Sequence, residues 1–317
     1  MSIMLDTFLA TVSPMLVMFT CILIGYLLRV VKIVPENSGT VLSRLVVYVF
    51  LPAQIVSSFM QNCTPDSIVS QYKMVIYGVI TVSLAMAMGI PLAKLFSKEI
   101  DEQKIYRYAL VFANCGFLGN AIVPMILGQE GLYSYIFFNI PLNIAIYSWG
   151  YTTLIPQGKG KKRGFLDVVR QPTIVAIGVG LLLGLSGLSK RMPSFVTTVT
   201  SELAGCMGPS AMLLTGFVVG GYDIKKLLTK KKVYIAAALR MIVLPGIHAC
   251  ALYFLGADKQ TVILAVIAFG AALGLNTVVV PAAYDGNTHT GAAMALISHA
   301  ACVITIPLRY ALLDWIL

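Results

Sequence analysis

Two stretches of the chain place hydrogen-bonding residues and helix breakers inside long apolar runs: NCGFLGNAIVP (114–124) and GLNTVVVP (274–281). Asn114, Asn120, Asn276 and Thr277 offer donors and acceptors there, which is the equipment of a binding site. Gly116, Gly119 and Pro124 in the first stretch, and Gly270, Gly274 and Pro281 around the second, disfavour helix. The cost is about 1 kcal/mol per glycine and about 3 per proline, relative to alanine. A helix interrupted at such residues starts again with a new N-terminus, whose partial positive charge suits an anion. The competing reading is close helix packing at glycines, as in the GxxxG pair Gly270 and Gly274, with prolines that only kink. Two such stretches at comparable places favour the interrupted-helix site.

A third stretch, IFFNIPLNIAIY, holds Asn139 and Asn143 four residues apart, on one face of a helix. The pair can line the same cavity or bond a neighbouring helix. Arg240, Glu202 and His299 are ionisable groups inside apolar runs, where a charge must be paired, wet or functional, and an ionic or coupling role is open to each. No GxxxxGK[ST], HExxH or GxSxG motif occurs, and the six cysteines have no ligand spacing, so no metal or cofactor is expected. The chemistry on offer is recognition and passage, and the chain is not expected to be an enzyme. A coupling ion, H+ or Na+, is not specified by these residues.

What positions these residues is a lipid bilayer. Of the 317 residues 58% are hydrophobic and only 11% charged, far from the balance of a soluble protein of this length. Ten apolar runs recur near residues 8–30, 41–60, 72–96, 106–127, 133–155, 172–189, 195–219, 233–255, 260–283 and 290–313. The net charge of +10 invites a nucleic-acid partner, but its distribution argues against one. Sixteen Lys and Arg fall in alternate joints (Arg29 and Lys32, Lys94 to Arg107, Lys159 to Arg170, Lys225 to Lys232), against four on the other side (Lys73, Lys190, Arg191, Lys259). By the positive-inside rule the first set is cytoplasmic and both termini face outward, in an integral protein of the plasma (cytoplasmic) membrane.

The longest joint, within 157–171, divides the chain into 1–156 and 172–317, five runs each. Pro14 to Pro35 and Pro172 to Pro193 are both 21 residues apart, Pro52 and Pro209, expected as further helix breaks, fall in the second run of each half, and GNAIVP is echoed by GLNTVVVP. Five is odd, so the second half enters the membrane inverted, which predicts an all-α inverted-topology repeat of ten helices with runs four and nine interrupted and crossing.

The order and spacing of these pieces resemble the auxin efflux carrier family, whose bacterial members include malonate and malate permeases. ILIGYLLRVVKIVPENSGTVLSRLVVYVFLPAQIV (22–56) is similar to its first two spans, FANCGFLGNAIV to its fourth and LAGCMGPSAMLLTGF (203–217) to its seventh. LRMIVLP (239–245) is similar to its eighth span, and NTVVVPAAYDGN with ALISHAACVITIPL to its ninth and tenth. The resemblance implies a fold like that of the bile-acid sodium symporters. Helices 1, 2, 6 and 7 would form a scaffold and homodimer contact, and helices 3–5 and 8–10 a moving transport domain. It also implies a carboxylate substrate and a pocket drawing on Asn114 and on Asn139 or Asn143. Where the family places prolines at the crossing, this chain has Ala121 and Ala272. The expectation is therefore a secondary transporter of a small organic anion, with Gly116 through Asn120 at its centre. The rivals are a transporter-fold sensor and a channel.

Overall fold

The computed structural model describes residues 2–156 and 170–316, so the joint expected at 157–171 falls almost wholly outside the described residues. Helix dominates every apolar run, and the described residues contain no strand. In chain order the helices are α1 (Ser2–Val30), α2 (Ser38–Asn62), α3 (Tyr72–Ala93), α4 (Ile100–Val111) and α5 (Cys115–Ala145). There follow α6 (Pro172–Leu185), α7 (Ser194–Val219), α8 (Lys231–Phe254), α9 (Lys259–Gly270), α10 (Asn276–Ala283) and α11 (His289–Ile316). Four of them, α2, α3, α7 and α8, are long and apolar enough to cross a membrane. Their outer faces are apolar: Phe195, Ile242 and Phe254 are 68%, 58% and 84% exposed. In water such faces would drive aggregation, whereas hydrocarbon solvates them.

Proline does not end these helices. α2 runs through Pro52 and α8 through Pro245, each with a π-helical turn just ahead of it, at Val46–Phe50 and Leu239–Val243. A proline has no N–H for the carbonyl four residues back, and a widened turn relieves both the missing bond and the ring's clash. Pro209 lies inside α7, Pro281 inside α10, and Pro124 inside the helical run of α5. Their expected role as break points is therefore corrected for Pro52, Pro124, Pro209 and Pro281. α5 bends instead at Gly128, whose φ of 68° lies in the left-handed region open to glycine, and so divides two legs of one hairpin. The second leg continues through Ile146–Gly150 to Leu154.

The real interruptions are at 112–114, between α4 and α5, and at 271–275, between α9 and α10. Gly270 ends α9 and Gly274 lies within the second gap, as expected, but the first gap precedes Gly116 and contains no glycine or proline. The two gaps meet in an antiparallel bridge between Ala113 and Leu273. Asn114 N–H donates to Ala272 O (2.8 Å), and Leu273 N–H donates to the Ser298 hydroxyl of α11 (3.1 Å). Ala272 is thus part of the crossing itself.

The carbonyl ends of α4 and α9 are closed by arginines. Arg240, on the π turn of α8 and fully buried, donates to Phe269 O (2.5 Å) and reaches Val111 O (3.4 Å), with its guanidinium 5.4 Å from the centre of the Phe269 ring. Arg309 of α11 donates to Gly270 O and to Thr305 O (2.9 Å). A cation at a helix C-terminus meets the negative end of its dipole, and neither arginine has a carboxylate partner among the described residues.

At the end that the charge pattern assigns to the cytoplasm, Glu102 at the start of α4 accepts from Ser97 (2.8 Å) and from Thr290 of α11 (2.9 Å), and Lys230 lies 3.5 Å away. Burial alone would raise its carboxyl pKa, but the Ser97 and Thr290 hydrogen bonds and the Lys230 charge outweigh it and hold the group below the usual glutamate value of 4.5.

Two outcomes follow. Arg240→Met keeps much of the volume but opens two carbonyls, each charged hydrogen bond being worth roughly 1.5–3 kcal/mol. Thermal unfolding of the detergent-solubilised protein should fall by several degrees, with Arg240→Lys intermediate, and an unchanged Tm would refute the capping role. A depressed carboxyl pKa contributes stability above the ordinary glutamate range and loses it as pH falls through the folded value. Acid should therefore destabilise the wild type more than Glu102→Gln, and equal loss between pH 7 and pH 3 would remove Glu102 from the account.

Candidate functional site

The crossing brings two helix starts to one place. α5 begins at Cys115 after Asn114, which makes no side-chain capping bond, and α10 begins at Asn276 after Leu275. A pocket opens against both starts, lined at the crossing by Ala113, Asn114, Cys115, Gly274, Leu275 and Asn276. Tyr108 of α4 and Asn143, Ile146 and Tyr147 from the second leg of α5 add to that wall. Gln54 of α2 and Met207, Gly208, Ala211 and Met212 of α7 form the opposite one. Among the described residues no charged side chain is in the lining. Four carboxamides (Gln54, Asn114, Asn143 and Asn276) and two phenols (Tyr108 and Tyr147) are set on an otherwise largely apolar surface, the usual make-up of a small-molecule site.

Both crossing asparagines are anchored. Asn276 Nδ2 donates to Tyr108 Oη (2.7 Å), so the start of α10 is tied to α4 across the gap. Asn114 Nδ2 lies 3.3 Å from His299 Nε2 in α11. Each amide thereby spends one N–H on the protein and keeps an oxygen and a second N–H. Tyr108 packs against Phe112 (ring centres 5.1 Å apart), and Phe112 meets Trp149 edge-on at 5.8 Å, which stiffens the gap residue that precedes the bridge.

Of the residues expected to bind, Asn114, Asn143 and Asn276 come together in the pocket wall. Thr277 is turned away, its hydroxyl donating to Gly274 O (2.9 Å). Asn139 is buried and donates to Tyr135 O (2.8 Å), outside the lining. Gly119 packs on the Tyr135 hydroxyl, where a Cβ would overlap it, so its smallness serves the contact between the two legs of α5. Gly116 and Asn120 lie on the helical backbone of α5, and their side-chain positions fall outside the described residues, as does that of Pro124. Arg240 sits on the carbonyl side of the crossing and not in the pocket wall. Glu202 is exposed on α7 and also outside the wall. His299 is fully buried behind Asn114.

The expectation missed Gln54, Tyr108, Tyr147, Met207 and Met212. Tyr147 was within reach of sequence reasoning, since it follows Asn143 by four residues and so shares its helical face. Gln54 is the one carboxamide in LVVYVFLPAQIV, a polar residue in an apolar run. Tyr108 and the two methionines carry no such signal, because tyrosine and methionine are ordinary packing residues in this composition.

The chain matches the membrane transport protein family over residues 10–165 and again over 162–310. It is 25% identical over 217 residues to an uncharacterized transporter of Methanocaldococcus jannaschii, covering 66% of this chain and 69% of that protein. It is 24% identical over 214 residues to an uncharacterized transporter of Methanothermobacter thermautotrophicus, covering 67% of this chain and 69% of that one. The chain is an integral membrane protein and belongs to the membrane transport protein family, that of the auxin efflux carriers.

Proposed function

We propose that the protein is a secondary transporter of a small organic anion, a carboxylate of the size of malonate, malate or an auxin-like acid, bound at the crossing. The observation that carries this reading is the convergence of two helix starts on a pocket with no charged side chain. The starts of α5 and α10 supply partial positive charge, the carboxamides of Asn114, Asn143 and Asn276 supply oriented donors, and no carboxylate in the wall opposes an anion.

Alternating access of the elevator type is the motion we assign to it, within a ten-span inverted repeat. Support comes from the way the helices group. α1 and α7 approach so closely that a Cβ on Gly216 would overlap Ile22 O, and α6 packs on α2, where Gly180 and Gly184 abut Phe59 and Cys63. α3, α4, α5, α8 and α9 pack on one another around the crossing. The pocket lies between the groups, with Gln54 and Met207 to Met212 on one side and every crossing residue on the other. Arg44 of α2 and Asp285 beyond α10 form an ion pair (3.4 Å), and Tyr48 meets Tyr284 (3.3 Å), contacts that sliding would break. The first group is also the proposed homodimer contact.

Purified protein should be stabilised by carboxylates and not by uncharged or cationic solutes of equal size. At a concentration 100 times Kd the gain is about 2.7 kcal/mol, easily read as a thermal shift. Malonate, malate and indole-3-acetate, with and without sodium, form the panel, and stabilisation by non-acidic solutes alone would overturn the anion assignment. Asn114→Ala and Asn276→Ala should each weaken uptake of the stabilising acid about tenfold or more while the protein stays monodisperse. Unchanged uptake and efflux in both would remove the crossing as the site.

A further inference from the structure

His299 stands in α11 one position beyond Ser298, the residue that receives Leu273 N–H at the crossing. It is fully buried, is absent from the pocket wall, and its two ring nitrogens face different partners. Nδ1 lies 2.7 Å from Ala295 O. A carbonyl can only accept, so Nδ1 carries the ring proton. In that tautomer Nε2 presents a lone pair, and the atom opposite it is the Asn114 amide nitrogen at 3.3 Å. The amide therefore donates to the ring. Its nitrogen is turned toward α11, and its oxygen is released from that contact.

Nothing in its own helix fixes this carboxamide, since Asn114 makes no side-chain capping bond to the turn it precedes. Its backbone is held independently, by the N–H donated to Ala272 O (2.8 Å). Backbone and side chain of Asn114 thus have separate anchors, one in the crossing and one in α11.

We propose that His299 is a positioning residue for the binding site: its Nε2 lone pair sets which way the Asn114 carboxamide faces the ligand, without His299 touching the ligand. The proposal rests on the reading of the pocket as the ligand site, and it replaces an ionic role for this histidine with a steering one. The Ala295 carbonyl is the origin of the chain, because it dictates the tautomer, the tautomer makes Nε2 an acceptor, and the acceptor orients the amide.

The first test needs no ligand. The chain has three histidines, at 248, 289 and 299, so 15N-histidine spectra of the full protein in nanodiscs are assignable with His299→Gln. His299 should show a protonated Nδ1 and an unprotonated, hydrogen-bonded Nε2, and the Nε2 resonance should move in Asn114→Ala. A protonated Nε2, or one indifferent to Asn114→Ala, overturns the proposal. The second test is malonate uptake into proteoliposomes. His299→Leu should raise KM about five- to tenfold, the worth of one hydrogen bond, with kcat within about twofold. His299→Gln, whose amide oxygen can stand where Nε2 stands, should recover most of that loss. The double variant with Asn114→Ala should be no worse than Asn114→Ala alone. Additive losses, or failure of glutamine to rescue, would make His299 a packing residue. If Asn114→Ala itself leaves malonate KM unchanged, the site reading fails for malonate, and the spectra still decide whether His299 steers Asn114.

Discussion

The structure turns on one constraint: backbone polar groups inside a bilayer must find partners within the protein, and the crossing creates four helix ends where none are wanted. The chain treats the two kinds of end differently. The carbonyl ends of α4 and α9 are closed from behind by Arg240, fully buried, and Arg309, half-buried, neither with a carboxylate beside it among the described residues. The helix starts of α5 and α10 instead form part of a pocket wall. Acceptors are satisfied by the protein, and the donor-rich ends are turned toward whatever enters. On the proposed reading, such a pocket draws negative charge to two helix starts with no charged side chain in its wall among the described residues, and so without the desolvation penalty of an unpaired lysine or arginine.

This division also explains two oddities of α8. An arginine about eight residues beyond Lys232 reads, on sequence alone, as facing a substrate, filling a structural role in a cavity or stretching to the surface. Its guanidinium spreads five donors in a plane, and two of its nitrogens reach carbonyls of different helices, Phe269 and Val111. The π turn at Leu239–Val243, caused by Pro245, holds the residue that makes these bonds. Proline, turn and arginine act as one device, and the proline's work lies outside the helix that contains it.

The apolar, helical character of the chain and the existence of two interrupted segments were legible in the sequence, because hydrophobic length and clustered glycine and asparagine report on single segments. The place of the first interruption was not. Pro124 was the obvious breaker, yet the helix continues through it and stops at 112–114, in Phe112, Ala113 and Asn114. A proline costs a helix one hydrogen bond, which a long buried helix survives, whereas a helix ends where its open groups are met by something else. Here those partners are Ala272 O, Arg240 and, for the facing gap, Ser298, all distant in sequence. No local pattern announces them. Asn114, Asn143 and Asn276 were found because polar residues in apolar runs stand out, while Tyr108 and Met212 were missed because they do not.

The two interruptions are supported by unlike residues on the helices packed against them. The second leg of α5 and helix α11 do comparable work for them. The second leg of α5 sends Tyr135 to Cys115 O (3.0 Å), and α11 sends Ser298, His299 and Arg309 to Leu273, Asn114 and Gly270. A tyrosine on one side is matched by a serine, a histidine and an arginine on the other. What the crossing demands is a donor or acceptor at a given point, and many residue types can deliver one from different distances along a helix. Gly274 and Asn276 have fewer substitutes, since close approach to Tyr108 and an amide bonded to its hydroxyl leave little choice. The small and polar residues of an interruption are therefore easier to recognise in a sequence than the residues that hold it in place, because several side-chain types can supply the same support from a neighbouring helix.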